Sequence, residues 1–308
     1  MPIYQAIVLG LIQGVTEFLP VSSSGHLIII PWLLNWKDPG LTFDVALHAG
    51  TLVAVLIYFA PTWMRILRGA LGGGDAANRV VLAPVERKEE VLVAANQGGA
   101  SVAVRTSTYL EAAPGEQGGR WLLWFILLAT VPGAIVGALL EKRAETSLRA
   151  PVLIAGTMIG VGLLMWLAEY MGSQRKRLEQ VSLFDSILVG MAQACAIVPG
   201  VSRSGSTIAV GLFRGLSRDA AARFSFLLST PIIAGAVLLK AHHMLKEPLA
   251  HDMWAPFLAG FVVSAIVGYA AIAIFIGYLR THSLKLFVVY RVVFGIIVLA
   301  LAYRGLFR

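Results

Sequence analysis

The sequence predicts an all-α polytopic membrane protein: six transmembrane helices and two re-entrant helix–loop–helix segments, arranged as an inverted-topology repeat. Three observations predict it. The chain of 308 residues is 57% hydrophobic and only 14% charged, with a mean hydropathy of +0.77, where a soluble domain carries about 25% charged residues. The charges are bunched, leaving apolar runs that approach the ~20 residues needed to cross a bilayer. Finally, the sequence repeats itself at an offset of 180: QGVTEFLPVSSSG (13–25) aligns with QACAIVPGVSRSG (193–205), an internal repeat that fixes the architecture before any element is assigned. The runs are continuously apolar rather than alternating, which excludes a transmembrane β-barrel.

The first repeat occupies residues 1–171. Residues 5–30 hold two apolar arms, each too short to cross, separated by Pro20, the serines 22–24 and Gly25. Such a segment reads as re-entrant, and its broken backbone is tolerated only inside protein or beside a wet cavity. Spans are expected at about 43–60, 121–140 and 151–170. Between the first two, the repeat offset falls from 181 (Phe43 with Phe224) to 131 (AIVG at 134–137 with AIVG at 265–268), which marks an insertion at 69–120. Within it, VVLAPV (80–85) and SVAVRTSTY (101–109) read as the strands of a small hairpin. The second repeat, 184–308, begins with a re-entrant segment at 184–213 and continues with spans at about 224–242, 255–279 and 286–304.

Charge sets the expected orientation. SQRKRLE (173–179) is the most basic short loop and belongs in the cytoplasm. Counting outward places Arg65, Arg68, the insertion, Arg214, Arg218, Arg280 and Lys285 there too, with the N-terminus outside. The loop 141–150 then falls outside despite Lys142, Arg143 and Arg149, against the charge rule. Three spans per repeat is odd, so the repeats are inverted and their tips should meet near the midplane. The net charge of +8 is explained by these loops, so no nucleic-acid partner is expected. Cys195 is the only cysteine, which excludes an intrachain disulfide and a Cys-rich metal site. Residues 1–30 lack a basic n-region, and no cleavable signal is expected. A homodimer is compatible with the Gly156–Gly160 spacing, although packing within the chain is the commoner use of such a pair.

Polar side chains at membrane depth are costly and mark sites. The first tip offers Glu17, Ser22, Ser23, Ser24 and His26; the second offers Ser202, Arg203, Ser204, Ser206 and Thr207. Arginine presents a rigid fork of donors to phosphate oxygens. Gly-rich turns that lead into a helix N-terminus add backbone N–H groups for an anion. A serine near a histidine can act as nucleophile with its base, and a glutamate can hold a divalent cation. The set suits phosphoryl transfer, where positioning and charge stabilisation dominate. The competing reading is structural: hydroxyls and glycines pack helices together, a lone histidine forms a local hydrogen bond, and Glu17 simply neutralises Arg203. Asp44 and His48 lie four apart on one helix face and read as a local hydrogen bond, with an extension of the site as the alternative. His242, His243, His251 and most tryptophans fall near span ends, as interfacial residues do.

GLIQGVTEFLPVSSSGH (10–26) and PGVSRSGST (199–207) resemble the two signature motifs of the undecaprenyl-diphosphate phosphatase, or bacitracin-resistance, family, and FDVALHAGT (43–51) extends the likeness. The resemblance implies a phosphatase in the bacterial inner membrane with its site open to the periplasmic side. Its lipid substrate would be undecaprenyl diphosphate, cleaved to the monophosphate carrier and inorganic phosphate. That recycles the carrier for peptidoglycan synthesis and confers resistance to bacitracin. It also implies a divalent cation, Mg²⁺ or Ca²⁺. The family's (E/Q)-x-x-x-E pattern falls on Gln13 and Glu17, its serine and histidine on Ser23 and His26, and its diphosphate-binding arginine on Arg203. Ser22, Ser202, Ser204 and Thr207 complete the expected substrate contacts, and Glu17 is the main candidate metal ligand because position 13 carries the amide rather than an acid. The chain departs from the family in the length of its 69–120 insertion.

On that resemblance Ser23 attacks the terminal phosphorus and His26 acts as base; His26 as direct nucleophile stays open. Membrane phosphatidic-acid-type phosphatases also use an S-G-H element, here Ser24-Gly25-His26, but the position of their nucleophilic histidine is Ala209. A polyprenyl-phosphate transporter or flippase on the same inverted repeat is the remaining alternative.

Overall fold

The structure, a computed structural model, describes residues 1–37, 40–70, 85–92, 102–109, 116–246 and 251–304. The helices are α1 (Ile3–Phe18), α2 (Ser23–Leu33), α3 (Leu41–Tyr58), α4 (Ala60–Ala70), α5 (Glu116–Glu145), α6 (Pro151–Met171), α7 (Leu183–Cys195), α8 (Arg203–Phe213), α9 (Arg218–Lys246), α10 (Trp254–Leu279) and α11 (Lys285–Tyr303). The insertion holds an antiparallel pair, β1 (Val85–Leu92) and β2 (Val102–Tyr109), with Val85 opposite Tyr109. The first strand begins where the sequence suggested it would end. Residues 80–84 lie outside the described residues.

Among the described residues, five helices are long and apolar enough to cross a membrane: Trp121–Leu140 within α5, α6, Arg218–His242 within α9, α10 and α11. The span expected at 43–60 is α3, which ends in a sharp bend. The chain bends by 70° between α3 and α4, and the two count as one span only if taken together. Pro61 explains the break, because it lacks the N–H that would continue the helix and its ring clashes with the preceding turn. α4 is amphipathic, burying Ile66 and exposing Arg65 and Arg68.

The two short-armed segments are the helix pairs α1–α2 and α7–α8. Each first arm packs on a long helix from the other half of the sequence: α1 on α10, and α7 on α5. Small residues allow the close approach. A Cβ added at Gly10 would stand 2.8 Å from the Gly260 carbonyl oxygen, and one at Gly190 would overlap the Ala129 carbonyl. Gly10 and Gly190 are equivalent by the 180-residue offset, and Ala129 and Gly260 by the 131-residue offset. By contrast, a Cβ at Gly156 or Gly160 would meet nothing within 4 Å, so this pair does not serve packing between the described helices.

An aromatic chain ties the long helices together: Phe226 of α9 packs on Phe18 of α1 at 5.2 Å and on Phe275 of α10 at 6.0 Å, and Phe275 meets Phe287 of α11 at 5.1 Å. At one end of the bundle, ionic groups join several helix ends. Asp185, at the start of α7, accepts from Lys176 Nζ at 3.1 Å and from Arg214 Nε at 2.7 Å. Glu169, near the end of α6, pairs with Arg218 and accepts from the Leu284 N–H at 2.8 Å.

Candidate active site

The two tips are built alike. Ser22 and Ser202 are the N-caps of α2 and α8, and both adopt positive φ, 74° and 70°. A non-glycine residue held there costs about 1–3 kcal/mol and persists only where the surroundings over-determine it. The surroundings here are hydrogen bonds. Ser22 Oγ accepts from the Gly25 N–H at 3.3 Å, and Ser202 Oγ from the Gly205 N–H at 3.1 Å. This sharp turn places Ser23 and Arg203 at the first position of their helices, where backbone N–H groups have no intrahelical acceptor and the helix dipole favours an anion.

Between the tips stands Glu17, near the end of α1 and only 6% exposed. Its Oε2 accepts from Ser23 Oγ at 2.7 Å and from Gln13 Nε2 at 3.0 Å. Its Oε1 accepts from Arg203 Nη2 at 2.7 Å. His48 Nε2 lies 3.5 Å from Oε2. Gln13 reaches Glu17 because residues four apart share a helix face. A carboxylate so deeply buried is costly unless charge-assisted hydrogen bonds compensate, and here they come from both halves of the sequence. Arg203 Nη1 is buried and has no hydrogen-bond partner among the described residues.

These groups open onto a cavity of about 560 Å³. Glu17, Ser22, Ser23, His48, Ser202 and Arg203 form its polar end. Side chains of α5 and α9, among them Ala134, Ala138, Ile232 and Leu239, form an apolar wall. Arg149 and Lys240 line it as well; they lie toward the bundle end opposite the Glu169 and Asp185 pairs, since α6 and α9 each run from one end to the other.

Not every sequence-selected residue faces this cavity. Ser204 Oγ donates to the Leu19 carbonyl at 3.0 Å, tying the second tip to the first. Thr207 Oγ1 donates to the Arg203 carbonyl at 2.6 Å and hydrogen-bonds Ser225 at 2.7 Å. His26 differs most from its expected place. A carbonyl only accepts, so His26 Nδ1–H donates to the Ser22 carbonyl at 2.7 Å, leaving Nε2 to accept from the Tyr290 hydroxyl at 2.6 Å. Its ring packs on Tyr290 and Phe294 of α11. Both nitrogens are thus engaged, and neither on Ser23; the group at the Ser23 hydroxyl is Glu17.

Two residues gain importance. His48 bonds locally, Nδ1–H donating to the Asp44 carbonyl at 2.7 Å, and the same bond aims Nε2 at Glu17. Arg291 is fully buried and donates to Pro20 of the first tip (3.1 Å), to Gly200 and Val201 of the second (2.8 and 3.1 Å), and to Met158 of α6 (3.0 Å). The signal for it was present in the sequence: an arginine inside an apolar run, the same argument that singles out Arg203.

A divalent cation can be tested against these donors. Among the described residues no cluster of three or more His, Cys, Asp or Glu side chains is placed to hold one. However, Gln13, whose amide N–H donates to the Glu17 carboxylate, has a buried oxygen, Oε1, with no hydrogen-bond partner among the described residues, and a turn of the amide would bring that oxygen to Glu17. One carboxylate, one neutral oxygen and the oxygens of a bound diphosphate fit a hard cation such as Mg²⁺, which rarely takes an all-protein cage.

The chain matches the family described as bacitracin resistance protein BacA over residues 6–297. It is 46% identical over 300 residues to an undecaprenyl-diphosphatase of Moorella thermoacetica, covering 97% of this chain and 98% of the relative. It is 43% identical over 301 residues to one of Desulforudis audaxviator, covering 97% of each. A third, of Geobacter metallireducens, is 43% identical over 291 residues, covering 94% of each.

Proposed function

This chain belongs to the bacitracin-resistance BacA family, and we propose that its chemistry takes place in the cavity where the two tips meet. It is a membrane phosphatase that hydrolyses undecaprenyl diphosphate to undecaprenyl phosphate and inorganic phosphate. The observation that carries the site is the contact of Ser23 Oγ and Arg203 Nη2 with the two oxygens of one carboxylate, Glu17.

The prenyl tail lies on the apolar wall of α5 and α9, with the diphosphate among Arg203, Ser202, Ser22 and the helix N-termini. Ser23 Oγ attacks the terminal phosphorus and passes its proton to Glu17 Oε2. The P–O bond to the lipid-linked phosphate breaks, and that phosphate departs with the lipid, taking the proton. Water then attacks the phosphoserine. Glu17 accepts a proton from the water and returns one to Ser23 as its oxygen leaves. Arg203 stabilises the charge on the transferred group in both steps. Glu17 and Gln13 would hold a divalent cation, which supplies charge neutralisation to the phosphates. Gln13, Ser204 and Thr207 position Glu17 and the tips, and His26 fixes the first tip to α11.

The sidedness follows from charge. The ionic network of Glu169, Asp185, Lys176, Arg214 and Arg218 gathers at one end, which the positive-inside rule assigns to the cytoplasm of a bacterial plasma membrane. The cavity then opens outward, and Arg149 lies on the outer side because it lines that cavity. The paired contacts of Gly10 and Gly190 support reading the two halves as inverted repeats.

The test is phosphate release from farnesyl diphosphate by the purified protein in detergent. Wild-type protein should lose activity with EDTA and regain it with Mg²⁺. Ser23→Ala and Arg203→Ala should each lower kcat/KM by about a hundredfold or more, the scale of losing a nucleophile's assistance or a charge-stabilising donor. Unchanged release in both variants sinks this site assignment.

A further inference from the structure

Gln193 is a polar side chain of the cavity that the reaction above leaves unused. It sits near the end of α7, at the position equivalent to Gln13. The two glutamines differ in circumstance. Gln13 donates its amide N–H to Glu17, whereas the repeat puts Ile197 where a second carboxylate would stand. Gln193 is 4% exposed, and neither its Nε2 nor its Oε1 has a hydrogen-bond partner among the described residues. Each unpaired buried polar atom is destabilising, so folding alone favours an apolar residue here.

Its surroundings say what it faces. A Cβ added at Gly133 of α5 would lie 3.4 Å from Gln193 Nε2 and 3.7 Å from Ile232 Cδ1 of α9. Gln193 therefore stands where the polar tips give way to the apolar wall, its buried amide packed beside Gly133 at the cavity lining. It shares the cavity with Arg203, whose Nη1 is likewise buried and unpartnered. A prenyl diphosphate carries its phosphates in a fixed order. The terminal one must reach Ser23; the other is esterified to the tail on the apolar wall.

We propose that Gln193, together with Arg203 Nη1, binds the lipid-linked phosphate, the one that is not removed. The amide NH₂ donates to its oxygens, and the contact lets the site distinguish a diphosphate ester from a phosphate that lacks this second group. The inference rests on the phosphatase reading above.

The experiment uses full-length protein in detergent with farnesyl diphosphate as substrate, and compares Gln193→Met and Gln193→Glu with wild type. Gln193→Met should raise KM about tenfold, the scale of one hydrogen bond to a charged group, while kcat changes little. Inhibition by farnesyl monophosphate should weaken by the same factor. Inhibition by inorganic phosphate, which occupies only the terminal position, should not change. Without ligand, the Tm of Gln193→Met should equal or exceed that of wild type, because an unpaired amide has been removed. Gln193→Glu should raise KM further by opposing the phosphate with a like charge. An unchanged KM in both variants overturns the proposal, as does equal weakening of both inhibitors or a lowered Tm with kcat and KM equally disturbed. Wild-type protein that released no phosphate would instead overturn the reading on which the proposal rests.

Discussion

At the scale of single residues, the site depends on one buried carboxylate serving two masters. Glu17 accepts from the nucleophile candidate Ser23 with one oxygen and from Arg203, the proposed phosphate ligand, with the other. Glu17, Ser23 and Arg203 were legible because polar groups in apolar runs have few structural excuses. The direction of His26 was not, since three residues along a helix after Ser23 says nothing about which neighbour the ring will meet. The structure gives it to α11. On the proposed mechanism His26 positions the first tip, so Tyr290→Phe, which removes the hydroxyl on Nε2, should reproduce part of the His26→Ala defect. Both variants should lower the Tm, and both should retain phosphate release well above that of Ser23→Ala. Thermal unfolding in detergent, read beside turnover, checks this. A His26→Ala protein with wild-type Tm and no turnover would restore His26 to the chemistry. His48 was read as a local hydrogen bond, and it makes one, but the same bond aims its other nitrogen at Glu17.

At the scale of elements, the informative unit is the tip rather than the span. Span positions are read from apolar runs, and the long helices α5, α6, α9, α10 and α11 overlap those runs, with α5 and α9 extending beyond them at both ends. α3 covers the stretch expected at 43–60 except its last two residues, and the 70° bend lies at its end; an apolar run does not show a bend, and Pro61, though visible, can kink a span or end it. The tips are where sequence and structure agree in detail. Repeated Val-Ser-x-Ser-Gly becomes a repeated cap with positive φ. Two costs compete at Ser202: the backbone prefers glycine, and the cap prefers a hydroxyl. Ser202→Ala loses the cap and keeps the backbone cost, a destabilisation of about 1 kcal/mol, whereas Ser202→Gly should cost only a few tenths. Melting temperatures of the two variants distinguish them. If Ala is as stable as Gly, the turn does not carry the strain assigned to it.

At the scale of the whole molecule, neither half of the chain holds a complete site. The nucleophile candidate and its carboxylate come from the first tip, and the proposed phosphate clamp, Arg203, comes from the second, 186 residues after Glu17. Arg291, from the last helix, donates to backbone carbonyls of both tips and so holds them in register. The expectation that the repeats are inverted pointed to tips that meet, and the two tips do meet. The sequence could not show how close they come, since contact distances between tips depend on packing of α1 on α10 and of α7 on α5 through residues as small as Gly10 and Gly190. The central claim is that this convergence transfers a phosphoryl group to Ser23. Rapid acid quenching of the protein with farnesyl diphosphate labelled in its terminal phosphate, followed by mapping of the labelled peptide, tests it directly. Phosphoserine is expected at position 23, absent in Ser23→Ala and strongly reduced in Arg203→Ala. Phosphohistidine at position 26, or turnover by Ser23→Ala at the wild-type rate, would contradict it.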